Sequence, residues 1–254
     1  MVRVVCISDT HNGHNRVPPL PPGDILIHAG DLTHSGSKQE ICRALGWLNS
    51  APHPHKVFIA GNHDTALAAP KTRSTILASY PDLIYLEDSS VTLTVHGRQV
   101  VVYGSPRTPR HGSGVFQYPP GEAAWNIPSD VDILVTHGPP SAHLDLGRAG
   151  CTELLQAVWQ VRPRVHVFGH IHGGRGVEHA SWSRVQQAYE DVSTGRAGWM
   201  GALSVVYAAV RSKLGRTPST GSEDGTIFVN ASSVGGMRDE LIREAIVVEF
   251  PLPP

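Results

Sequence analysis

The sequence predicts a single α/β domain, a sheet sandwich flanked by helices. Three observations predict it. Apolar, strand-like runs recur along the 254 residues. The early runs alternate with an amphipathic helical pattern, the strand–helix–strand order of a covered sheet. Five of the runs end on Asp, Asn or His, which suits an α/β sheet whose ligands gather at the carboxyl ends of its strands.

The first run, Val2 to Ser8, delivers Asp9-Thr10-His11. Four prolines between Val17 and Gly23 then predict an extended surface segment. Asp24 to Ala29 is the second strand and delivers Gly30-Asp31. Ser37-Lys38-Gln39-Glu40 reads as a capping box, followed by Ile41, Leu45 and Leu48 at helical spacing until Pro52 stops the helix. Lys56 to Ala60 leads into Gly61-Asn62-His63-Asp64. Shorter strands follow at Leu83 to Tyr85, Val91 to Val95 and Val100 to Tyr103.

Ser105 to Gly121 is a Pro- and Gly-rich loop carrying Arg107, Arg110 and His111, which could rim a phosphate site or simply face solvent. Asp132 to Thr136 delivers His137, and Leu154, Leu155, Val158 and Val161 mark a second helix ended by Pro163. Val165 to Gly169 delivers His170 and His172, read as alternate residues pointing to one side of a strand edge. The stretch at about 177–225 is too short for a domain and long for a loop. It is expected to be a helical insert, a lid or binding element, with helices around Trp182 to Asp191 and Trp199 to Lys213. Thr226 to Val229 and Ala245 to Phe250 are the last strands.

Lys+Arg 21 against Asp+Glu 22 leaves a net charge of -1, so no nucleic-acid polymer is expected as partner. The three cysteines, Cys6, Cys42 and Cys151, form no Cys-x-x-Cys pair and read as small core fillers in a reducing compartment. The N-terminus runs directly into a strand without a charged leader or cleavage site, so a cytoplasmic protein without a signal peptide is expected. No apolar stretch is long enough to span a bilayer. A peripheral membrane role would fall to Trp199 to Lys213.

The chain has 15 histidines, and imidazole is the commonest metal ligand. Singly, each motif has an ordinary alternative: Asp-Thr-His a helix cap, Gly-Asp a turn. Five in order at strand ends point instead to a dinuclear metal centre. Asp9, Asp31, Asn62 and the histidines at 11, 137, 170 and 172 mix carboxylate, amide and imidazole donors. That mixture suits manganese, iron or zinc, and magnesium less well; two divalent ions are expected, manganese being the first choice. Two divalent ions against Asp9 and Asp31 leave a net positive site that attracts phosphate. His28 and His166 lie inside strands beside ligand positions and read as packing or supporting groups. His34 follows the Gly-Asp turn and could either approach the site or face solvent, whereas His14, His53, His55, His96, His143 and His179 are expected at the surface.

These motifs resemble those of the calcineurin-like metallophosphoesterase superfamily: Asp-x-His, Gly-Asp, Gly-Asn-His-Asp, a lone His, and Gly-His-x-His. The chain looks most similar to the small phosphodiesterase-like branch described from animal brain, through Ile7 to His11, Ile59 to His63, Thr136 to Pro140, Val165 to Gly169 and Asn230-Ala231-Ser232. The resemblance leaves out Val177 to Gly225. It implies a four-layer α/β/β/α sandwich. Asp9, His11 and His172 would hold one ion, Asn62, His137 and His170 the other, and Asp31 would bridge. The ions would lie ~3.5–4 Å apart around a bridging hydroxide. Asn62 and His63 would contact phosphate, His63 would protonate or stabilise the leaving oxygen, and Asp64 would orient the His63 ring. The expected activity is hydrolysis of a small phosphodiester such as a cyclic nucleotide. The alternatives are a phosphomonoesterase or protein phosphatase, or a metal- and nucleotide-binding regulator with weak catalysis. Some animal members carry Gly where His170 stands, and this chain keeps the histidine.

Overall fold

Continuous apolar runs make strands buried on both faces, and here the two faces go to different cores. The structure, a computed structural model, describes residues 1–147, 149–198, 201, 225–236 and 240–251. Its first half comprises β1 (Val2–Ile7), β2 (Ile25–Ala29), α1 (Lys38–Ser50), β3 (His55–Ile59), α2 (Thr65–Ala68), α3 (Pro70–Leu77), β4 (Ile84–Tyr85), β5 (Ser89–Val95) and β6 (Arg98–Ser105). Two two-residue strands follow, β7 (Thr108–Pro109) and β8 (Gln117–Tyr118), then β9 (Ile133–Thr136), α4 (Thr152–Val161) and β10 (Val165–Phe168). The chain ends with β11 (Gly176–Ser181), α5 (Arg184–Ser193), β12 (Gly225–Asn230), β13 (Val234–Gly235), β14 (Leu241–Ile242) and β15 (Ile246–Phe250).

One sheet has the order β15-β1-β2-β3-β4, with β1 to β4 parallel and β15 antiparallel at the edge. The other has the order β11-β12-β10-β9-β6-β5, with four parallel central strands and antiparallel strands at both edges. Because side chains alternate along a strand, Val4, Cys6, Ile25, Ile27 and Val57 turn inward against Val102, Ile133, Val135, Val165 and Val167 of the other sheet. Their neighbours Val5, Ile7, Leu26 and Phe58 turn outward, under Ile41, Leu45 and Leu48 of α1. On the far side Leu134, Phe168 and Phe228 lie under Leu154 and Val158 of α4. The result is helix, sheet, sheet, helix, each buried side chain contributing about 1.5–3 kcal/mol. Cys6 is a core filler, and burial pushes its thiol pKa up.

The helix signals act as expected. Ser37 Oγ accepts from Glu40 N while Glu40 Oε2 accepts from Ser37 N at 3.0 Å, closing the capping box of α1. Helix α4 is capped by a sulfur: Leu154 N donates to Cys151 Sγ at 3.2 Å. It ends at Arg162, left-handed at φ 53, just before Pro163.

Three expectations change. Residues 65–77 form α2 and α3, which the pattern hid because Pro70 splits the segment; it opens α3 at a position where its missing N–H costs nothing. Gly176–Ser181, where the insert was expected to begin, pairs along β12 as an edge strand. Helix α5 stands where Trp182 to Asp191 was expected, and Trp199 to Lys213, apart from Gly201, lies outside the described residues. His14, His53 and His143, expected at the surface, are buried. His53 bonds the Pro21 carbonyl, and His143 lies between two glutamates. Among the described residues no helix is long and apolar enough to cross a membrane.

Candidate metal centre

Five strands, β1, β2, β3, β9 and β10, point their carboxyl ends at one place. The turns after them bring Asp9, His11, Asp31, Asn62, His137, His170 and His172 together. Asp9, His11 and His172 have ligand atoms within 4.8 Å of one another, and so do Asp31, His137 and His170. A third such group, His11, Asp31 and His63, joins the first two. Asp31 lies at the centre: its Oδ2 is 3.3 Å from His137 Nε2 and 3.7 Å from His11 Nε2. Asn62 Oδ1 lies 2.9 Å from His137 Nε2. His172 Nε2 is 3.4 Å from Asp9 Oδ1.

The turns are locally strained. Asp9, His11, Asp31 and His170 have φ of 51, 41, 52 and 65°, in the left-handed region that few side chains other than Asn, Asp and His tolerate. Each such residue costs of order 1–3 kcal/mol and persists where the surroundings over-determine it, typically at functional sites. Two glycines in the motifs are needed for close approach. A Cβ on Gly61 would run into Asp31 Oδ1, and one on Gly169 into Asp9 Oδ2. The strained turn also corrects one expectation. His170 and His172 do not share a strand edge: β10 stops at Phe168, His172 opens a 3-10 turn, and the two rings go to different groups.

The rings are aimed by their remote nitrogens. His11 Nδ1 lies 3.2 Å from the Thr33 carbonyl, and His137 Nδ1 lies 3.0 Å from that of Ala29. Both fix the tautomer that turns Nε2 toward the centre. His11 Nε2 is buried without a hydrogen-bond partner, a lone pair held ready for an ion. The donor set therefore fits two divalent metal ions. His28 bonds Thr10 and His166 bonds Thr136, supporting the turns as expected.

Asp64 departs from its expected role. Its oxygens accept from Leu32 N, Thr33 N, Thr33 Oγ1 and Gly61 N at 2.7–3.2 Å, pinning the turn after β3 to the turn after β2. The His63 ring is held instead by its Nδ1 donating to the His34 carbonyl at 2.8 Å. Burial, with the nearby Asp31 charge, pushes the Asp64 carboxyl up.

Ser232 and Asn230 escaped the sequence reading as site residues. Ser232 Oγ lies 2.8 Å from Asp9 Oδ2, and Asn230 Nδ2 donates to the Ile171 carbonyl at 2.9 Å. Their signal was present: the end of β12 is a sixth strand terminus carrying polar side chains. His34, His111 and Ser113 line the pocket beside the donors. Arg107 turns away, to the Ala124 carbonyl and the Tyr118 ring.

Burial alone would raise the Asp9 carboxyl, but the hydrogen bond and charge of His172, with His137 and His11, lower it. Burial would lower His137, but the charge and hydrogen bond of Asp31 raise it to about 9. A proton so held on His137 at neutral pH is one that an ion bound there would have to displace. The sign follows: a raised imidazole pKa weakens metal binding below it, so apparent affinity should climb, by up to about tenfold per pH unit, until about pH 9. Calorimetric manganese titrations in buffers of different ionisation enthalpy should show proton release at pH 7. Heats independent of the buffer would refute it.

Comparison with known proteins agrees with this geometry. Residues 2–174 match the family model described as calcineurin-like phosphoesterase. The chain is 48% identical over 259 residues to a protein of Emericella nidulans named probable rhamnogalacturonate lyase C, an alignment covering 98% of this chain but 24% of that protein. It is 40% identical over 206 residues to metallophosphoesterase domain-containing protein 1 of Homo sapiens, covering 69% of this chain and 62% of that one. A UPF0046 protein of Caenorhabditis elegans is 37% identical over 202 residues, covering 69% of this chain and 70% of its own. This chain therefore spans less than two thirds of the length of the first two relatives. Among solved structures, the protein TT1561 of Thermus thermophilus aligns with a TM-score of 0.51 over 70% of this chain and 84% of that one. Its 14% identity makes that a likeness of fold alone.

Proposed function

Because the chain belongs to the calcineurin-like phosphoesterase family, we propose that it is a dinuclear metal-dependent hydrolase of small phosphodiesters, a cyclic nucleotide being one such substrate. Asp9, His11 and His172 would hold one ion and Asn62, His137 and His170 the other, with Asp31 shared. The ions, of which manganese is our first choice among manganese, iron and zinc, would supply Lewis-acid charge for the phosphoryl oxygens and an activated water. The chain's own residues do the rest. Thr33 and Ala29 carbonyls hold the ligand rings, Asp64 holds the turn that presents Asn62 and His63, and His63 offers Nε2 to the leaving oxygen.

The observation that favours a diester is the pocket's charge. Its volume is about 320 Å³, and among the described residues its lining holds six imidazoles but no Lys or Arg. Two divalent ions against Asp9, Asp31 and a bridging hydroxide would leave a single positive charge. A singly charged diester matches that surplus, whereas a dianionic monoester would overshoot it, with no Lys or Arg among the described lining residues to make up the difference. The volume is at the small end of ligand pockets, roughly 300–1,000 Å³. Three unpaired cysteines support a cytoplasmic setting. Lyase chemistry is not carried over from the Emericella nidulans relative, because this chain covers 24% of that protein.

With added manganese, the protein should hydrolyse bis(p-nitrophenyl) phosphate in preference to p-nitrophenyl phosphate. A higher kcat/KM on the monoester would overturn the diester reading.

A further inference from the structure

Helix α5 is fastened to the domain by a buried charge cluster that also grips a loop beside the metal centre. Glu190 of α5 is fully buried. Its carboxylate accepts from His143 Nε2 at 3.1 Å, Gln186 Nε2 at 3.0 Å and Trp159 Nε1 at 2.5 Å. The other His143 nitrogen, Nδ1, lies 3.2 Å from Glu178 Oε1 on β11. The His143 ring lies flat on Phe228, with centroids 4.0 Å and planes 6° apart. A carboxylate at each nitrogen makes both nitrogens donors, so His143 is an imidazolium. Burial opposes that charge, but the two glutamates outweigh it and raise its pKa to about 9. Buried ion pairs add little net stability over apolar packing, so position is the property this cluster secures best.

What it positions is the loop 141–147. There Ala142, Leu144 and Leu146 adopt φ of 72, 51 and 55°, conformations that such side chains rarely hold. Asp145 fastens the loop by accepting from Ala142 N, Gly147 N and Gly150 N at 2.8–3.2 Å. The strained backbone presses on the turn that carries the ligand His172. Any Cβ on Gly174 would run into the Leu144 carbonyl, and one on Gly173 would sit 3.0 Å from Leu146 Cδ1. Asn230 Nδ2 bridges the Leu144 and Ile171 carbonyls at 3.3 and 2.9 Å, joining loop to turn.

We infer that His143, clamped by Glu190 and Glu178, is a positioning residue for the metal ligand His172, coupling helix α5 to the ion held by Asp9, His11 and His172. The inference rests on the metal-centre part of the proposed function and not on the choice of substrate.

The test is a cobalt(II) titration of the full chain, read by visible absorption so that the filling of two sites is resolved. The step missing in His172→Ala identifies the site in question. Glu190→Ala should weaken that step about 10–100-fold, the usual effect of losing a group that orients a ligand, and leave the other step near the wild-type value. Glu190→Gln keeps an acceptor for His143 Nε2 and should recover most of the loss, a rescue that general destabilisation would not give. If Glu190→Ala does not fold, the pair His143→Phe with Glu190→Leu removes both charges and keeps apolar volume, and should show the same selective loss. Unchanged affinities, or equal losses at both sites, overturn the inference. A wild-type protein that takes up no second ion overturns the dinuclear reading, and the inference with it.

Discussion

Asp31→Asn is expected to lose both metal ions and all measurable turnover. Asp31 is 2% exposed and is the carboxylate that faces both histidine groups, at 3.7 Å from His11 Nε2 and 3.3 Å from His137 Nε2. The substitution removes half of the negative charge that offsets the two ions. It also turns an acceptor into a group that has to present N–H on one side, either to the His63 N–H now donating to Oδ1 at 2.8 Å or to the ions. The backbone is spared, because asparagine tolerates the left-handed conformation at φ 52 as well as aspartate does. Loss of function can thus be assigned to the carboxylate. His170→Gly is the contrast: it touches one group only, so one ion should be retained. Elemental analysis after gel filtration distinguishes the two variants. Two tightly held ions in Asp31→Asn would show that Asp31 does not bridge.

Much of this was legible in the chain because strands and metal ligands both leave short-range marks. The capping box at Ser37 and Glu40, the runs at Val2 and Val165, and the Asp, Asn and His residues that end them are local patterns, and the structure keeps each one. What escaped is set by partners distant in sequence. His143 looked like a surface histidine because Glu178 and Glu190, which make its burial tolerable, lie 35 and 47 residues away. Asp64 was expected to aim the neighbouring His63 ring because they are adjacent. Its four donors come from Gly61 and from the Leu32–Thr33 turn, a parallel strand away. The strand β11 was missed for a third reason: an edge strand with one buried residue, Ala180, has no apolar alternation to read. The candidate donors that gather at the strand ends were readable, and so were His28 and His166 beneath them; the partners of Asp64 and His143 were not.

His63→Ala is expected to keep its metal and lose about 10²–10⁴ in kcat, the usual contribution of a positioned general acid. The geometry separates the two effects. The contact between His63 and Asp31 is made by the backbone N–H, at 2.8 Å, and alanine retains it. The ring is held through Nδ1 by the His34 carbonyl and packs edge-on against His11, centroids 4.9 Å apart, which leaves Nε2 to meet the substrate. If that nitrogen protonates the leaving oxygen, the loss should depend on how much help the oxygen needs. A p-nitrophenolate ester should suffer least and an alkyl ester most. Equal losses on both would mean that the ring acts by charge alone and transfers no proton. A third result is possible because the His63, His11 and Asp31 ligand atoms lie within 4.8 Å of one another. Should His63→Ala purify with one ion fewer, the ring is a ligand and the acid must be sought elsewhere on the rim, where His34 and His111 line the same pocket.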